Sequence, residues 1–283
     1  MIKSKSIIIV AGLLLILSSP LNAEPSGRLY SFANPLPGPL KFADHTWVTD
    51  YPERPSCPKP DANYWYSTGD CHPDASDNPP RPLSSAKADI GIARCIATPN
   101  DEGFNWTATA HIVYGIDGVC HQIANRILTA TGGAGRTPIT VEGANGYRIS
   151  RFFYGLYGDY LRPSDWKKLR ADCKVPVMPI RTARTDLVAM SEQAGLQSKL
   201  AILQEEQNLA RRLIANIGDR ARHKDLSPDK VATQVNMIVN DSLQRLVSKL
   251  GPEDFQRFFA WTPGKKIILV YPEIAARVKY GEQ

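Results

Sequence analysis

From Leu196 to Leu250 the chain carries two stripes at helical spacing. The first runs through Leu196, Leu200, Leu203, Gln207, Ala210, Ile214 and Ile217, the second through Val231, Val235, Ile238 or Val239, Leu243, Leu246 and Leu250. Ser227 and Pro228 divide them as a helix cap and a first-turn proline, and Gly251 stops the second. Each stripe is narrow and needs a cover, and antiparallel pairing of the two helices is the simplest way to bury both. Residues 181–283 are therefore expected to be mainly helical, with a short helix over Pro252 to Ala260 and a terminal strand over Ile267 to Tyr271.

Residues 24–180 have a mixed pattern, which predicts an α+β fold for the whole. The run His45 to Tyr51 alternates and is rich in β-branched and aromatic residues, so it reads as a strand with His45, Trp47 and Thr49 on one face. Ile90 to Ala97 and Trp106 to Tyr114 read as further strands, and Asn145-Gly146 as a hairpin turn between Ile139–Val141 and Tyr147–Phe153. A short helix is expected after Pro163, holding Trp166 and Leu169 and ending near Cys173. Tyr51 to Pro82 is rich in Pro, Asp and Ser and reads as a long surface loop.

Lys3 and Lys5, the apolar run Ile7 to Leu17 and then Leu21-Asn22-Ala23 have the order of a secretory signal peptide over residues 1–23. The run is too short to span a bilayer, so no transmembrane anchor is expected after cleavage, and the product is periplasmic or secreted. Loss of the two lysines lowers the net charge slightly from the +6 of the whole chain. Apart from Arg211-Arg212 and Lys265-Lys266 the basic residues are scattered without interleaved aromatics, which argues against a nucleic-acid partner.

Five cysteines in an oxidising compartment leave one thiol over. The preferred pairing joins Cys57 to Cys71 across the proline-rich loop and Cys95 to Cys173, leaving Cys120 free. Any of the five could be the odd one, and each choice leaves three ways to pair the rest. Cys120 falls between a β-like run and a helix that starts near Asp117 or Gly118, ends near Ala130 and is stopped by Gly132-Gly133. A thiol at a helix start meets unpaired N–H groups and can ionise. His45 is the favoured base, with His111 as orienting residue or alternative base. His121 projects about 100° away around the helix, and His72 sits in the loop. The N–H groups of Cys120 and His121, with the side chain of Gln122, are oxyanion donors, and Asn125 serves helix-face hydrogen bonding. Cys71-His72 lacks a second ligand pair, and no P-loop, dinucleotide or haem motif is present, so neither a metal nor a cofactor is expected.

The segments His45-Thr46-Trp47-Val48 and Gly118-Val119-Cys120-His121-Gln122, in that order, resemble the circularly permuted papain-like hydrolases, the lecithin retinol acyltransferase-like branch of the NlpC/P60 superfamily. The resemblance covers the chain between about residues 40 and 155. It implies a small antiparallel sheet packed on a helix with an N-terminal cysteine. It also implies thiol-dependent hydrolysis or transfer at an amide or ester bond of a peptide, peptidoglycan or acyl substrate. Val119 stands where family members often carry Asn or Asp. The competing expectation is a non-enzymatic, disulfide-stabilised envelope protein that binds a partner through its C-terminal helices, with Cys120 a buried structural thiol.

Overall fold

The computed structural model describes residues 27–34, 43–50, 64–65, 80–97, 109–132, 139–176, 182–272 and 275. The signal-like segment, Cys57, Cys71 and His72 lie outside them. Four strands, β1 (Gly27–Asn34), β2 (His45–Thr49), β3 (Tyr64–Trp65) and β4 (Arg81–Ala88), form an antiparallel sheet in the order β3-β2-β1-β4. Its register pairs Asn34 with His45, Phe32 with Trp47 and Tyr30 with Thr49. Side chains alternate along a strand, so Leu29, Ala33 and Val48 enter the main core while Phe32 and Trp47 form a second cluster on the opposite face. The α+β class expected from the sequence is the one found.

Among the described residues eight α-helices follow: α1 (Ile90–Ala97), α2 (Cys120–Leu128), α3 (Tyr147–Tyr154), α4 (Pro163–Asp172), α5 (Ala183–Gln193), α6 (Leu200–Arg222), α7 (Pro228–Leu250) and α8 (Pro252–Phe259). Helices α6 and α7 form the expected antiparallel hairpin. Buried Glu206 of α6 accepts from Ser242 at 2.9 Å and from Arg245 Nε and Nη2 at 2.9 and 2.7 Å on α7. Burial raises its pKa, but the hydrogen bonds from Arg245 and Ser242 outweigh burial and hold it below the usual glutamate range. Gln207 donates to the carbonyl of Phe152 at 2.7 Å, and the rings of Phe152, Phe258 and Phe259 meet edge to face, so α3, α6 and α8 share one core.

Besides Ile139 to Val141, which has no regular secondary structure, four segments depart from the expected strands. Ile90 to Ala97 is helix α1: Asp89 accepts from the N–H of Ile92 at 3.1 Å, and Ala93, Ile96 and Ala97 point inward at helical spacing. Local capping prevails over β-branching there. Tyr147 to Tyr154 is helix α3, because Gly146 adopts a left-handed φ of 76° that starts a helix instead of closing a hairpin. Its Cβ position is also occupied, since a methyl group there would come within 2.8 Å of Ala43 Cβ.

In the third segment, Thr109 to His111 is a 3-10 turn with left-handed φ values of 61° at Ala110 and 54° at His111, while Trp106 to Ala108 lie outside the described residues. Fourth, Ile267 to Tyr271 is not an assigned strand, with a single bridge position at Ile268, and joins no sheet among the described residues. Asn240 donates to Ile267 O at 2.8 Å and accepts from its N–H at 2.9 Å. Asn236 donates to Val270 O at 2.7 Å and accepts from the N–H groups of Leu269 and Val270 at 2.9 and 3.0 Å. Two side-chain amides on α7 thus take the place of a partner strand.

Candidate functional site

Cys120 is the first residue of α2, with extended Val119 as cap, and α2 packs against β2. Its thiol is 1% exposed and donates to the Asp44 carbonyl at 3.5 Å. Burial pushes its pKa up to about 11, against the opposing pull of the Thr46 N–H and hydroxyl and the His121 N–H. Desolvation therefore defeats the helix terminus. The phenol of Tyr114 lies close by and is likewise held protonated, first by burial and then by Cys120.

Residues 43 and 44 seal this end of the helix. The Asp44 carboxylate accepts from Arg81 at 2.8 Å and from the backbone and side chain of Asn145 at 2.9 and 3.0 Å. Ala43 donates to Ile268 O at 3.2 Å and accepts from the Tyr271 hydroxyl.

His121 is fully buried and turned toward α3. Its Nδ1 is hydrogen-bonded with Ser150 Oγ at 2.8 Å, and Ser150 Oγ also donates to Tyr147 O at 2.9 Å. Among the described residues Nε2 is within hydrogen-bonding geometry of no partner. Burial drives the imidazole pKa down to about 4, offset in part by the Asp44 carbonyl. The ring is neutral over the whole physiological range.

The polar residues that follow hold backbone. Gln122 Oε1 accepts from Val119 N at 3.1 Å and its Nε2 donates to Gly155 O at 3.0 Å. Asn125 donates to Leu156 O at 2.8 Å and accepts from Val141 N at 3.0 Å. Arg126 donates to Tyr157 O at 2.6 Å, Gly158 O at 3.0 Å and Ala110 O at 2.7 Å, with its guanidinium 4.8 Å from the Trp166 ring. Four successive carbonyls, from Gly155 to Gly158, are thus taken up by one helix. The sequence reading missed Arg126, although the spacing of 122, 125 and 126 already placed three polar side chains on one helical face.

The two favoured histidines lie on β2 and in the turn that precedes α2. His45 shares its sheet face with Trp47, ring centroids 6.1 Å apart, whereas Thr46, on the opposite face, is the strand residue beside the thiol. His111 is half-buried near α4. Its pKa is lowered by burial, then by Arg126 and Lys168, with Asp165 and Asp172 opposing. Cys95 of α1 and Cys173 at the end of α4 are bonded, their Cα atoms 5.6 Å apart, and Cys120 is a free thiol. Among the described residues no three His, Cys, Asp or Glu side chains converge where a metal ion could sit. No described helix is long and apolar enough to cross a membrane.

Comparison of the chain with protein-family models, with curated proteins and with solved structures finds no match.

Proposed function

We propose that this chain is a non-enzymatic, disulfide-stabilised envelope protein, exported by residues 1–23, that binds a partner through its C-terminal helices. The observation that carries the reading is the state of Cys120: buried to 1% exposure, its thiol donating to the Asp44 carbonyl and its pKa pushed up by burial to about 11. A nucleophilic cysteine needs a base within hydrogen-bond reach and an open approach for substrate. The polar side chains beside it are engaged with backbone, which is the work of a fold determinant.

A second reading, a thiol-dependent hydrolase or transferase for an amide or ester bond, draws on one specific feature. Cys120 opens a helix, and backbone hydrogen bonds from Thr46 and His121 oppose burial and favour its thiolate.

The test is a photo-crosslinking residue placed on exposed positions of α6 and α7, and on the sheet as control, in the full chain in its native cells. Crosslinks from the helices alone, equally strong in Cys120→Ala, are expected. Crosslinks that vanish in Cys120→Ala, or none from the helices, would contradict the reading.

A further inference from the structure

The α7 helix, Phe255 of α8 and the segment from Gly264 to Ile268 enclose an open groove of about 570 Å³. Met237, 59% exposed, projects from α7 into it, with Val247 and Phe255 further along. One wall is preformed, because Asn236 and Asn240 hold residues 267–270 by their backbone. Pro263 and Gly264 turn the chain just before that wall, Gly264 with a φ of 75°, and this sets Lys265 and Lys266 on the rim.

Several charges of the helical region are paired. Arg245 pairs with Glu206, Lys249 with Glu205 and Glu206, Arg257 with Asp254 and Arg222 with Asp219. Lys265 and Lys266 are exposed and, among the described residues, have no carboxylate within ion-pair distance. Asp241 also lines the groove and is exposed, with Arg245 one turn along α7.

We propose that this groove receives an acidic amphipathic peptide segment of a partner protein, its apolar side chains on Met237 and Val247 and its carboxylates on Lys265 and Lys266. The proposal rests on the partner-binding reading above and names the partner's chemistry. Concavity favours a peptide over an anionic membrane face, because a flat bilayer cannot reach the floor of a groove. Peptide recognition by a helix-lined apolar groove with charged rims is a recurrent mode.

The experiment is selection of short random peptides displayed on phage against the immobilised full chain and against Lys265→Glu/Lys266→Glu. Both lysines are exposed, so thermal unfolding should be unchanged in the variant. Enriched sequences should combine Asp or Glu with large apolar residues, bind the variant at least about tenfold more weakly, and shift the Met237 methyl resonance. No enrichment, enrichment without carboxylates, or undiminished binding to the variant would overturn the proposal. Flotation with phosphatidylglycerol vesicles that depends on the two lysines would overturn it in favour of a membrane. Slow Cys120 alkylation together with failed selection would leave the non-enzymatic reading standing without this groove.

Discussion

A guanidinium sealed from water costs free energy unless its donors are matched, and Arg126 matches them with backbone carbonyls from two separate loops. Burial lowers its pKa to about 10, partly offset by Asp117 and Asp159, and it stays charged. Arg126→Ala leaves those carbonyls without donors, and about 3 to 5 kcal/mol of stability should be lost in urea unfolding. Arg126→Lys should recover only a small part, since an ammonium cannot fork across Tyr157 and Gly158.

The two buried titratable groups at the helix start predict opposite pH limbs. His121 has its folded pKa depressed to about 4, so the unfolded chain binds the extra proton. Its contribution is complete above about pH 6.5 and is lost as pH falls toward 4, by about 3 kcal/mol. Cys120 has its folded pKa raised to about 11, so its contribution is lost as pH climbs from about 9 toward 11. Urea titrations of His121→Gln and Cys120→Ala should each flatten one limb; an unchanged limb would show that the group is not sealed.

At this scale the sequence revealed where Cys120 would sit but not what faces it. Whether His45 or Thr46 turns toward α2 depends on the phase of one strand, and a shift of one residue exchanges them.

At the scale of elements, the long helices were legible because their stripes persist over several turns. Helices α1 and α3 were not, since short apolar runs fit either period and the deciding groups were a cap at Asp89 and a left-handed Gly146. Strands β1, β3 and β4 escaped notice; β3 and the start of β4 fall within Tyr51 to Pro82, where composition predicts a loop. Strand β4 carries Pro82, and its place at the sheet edge is where proline is tolerated. The segment Ile267 to Tyr271 has strand composition without a strand partner, because Asn236 and Asn240 satisfy it from a helix. Asn236→Ala should speed amide hydrogen exchange at Leu269 and Val270 and cost about 1 to 3 kcal/mol. Unchanged exchange there would mean that the contact with residue 43 alone holds the segment.

For the whole molecule, the bond between Cys95 and Cys173 spans 78 residues and ties α1 to α4 around the α2 region. The chain-entropy model gives such a closure about 4 to 5 kcal/mol, so Cys95→Ser/Cys173→Ser should melt at a clearly lower temperature than the native chain. Equal melting temperatures would place the strength of that region elsewhere. The cysteine arithmetic anticipated the pair because an odd count and a signal-like leader restrict the choices. The sealing of Cys120 was not legible, because Asp44, Arg81, Asn145 and Tyr271 come to it from four distant parts of the chain.

That sealing is the central claim, and it is measured directly by iodoacetamide alkylation of the native protein across pH, with the Cys120 peptide followed by mass spectrometry. Alkylation should be slow, limited by opening of the fold, accelerated by urea, and without a thiolate midpoint below about pH 9. Fast alkylation near neutral pH, with a midpoint below about 8, would contradict it and restore Cys120 as a nucleophile.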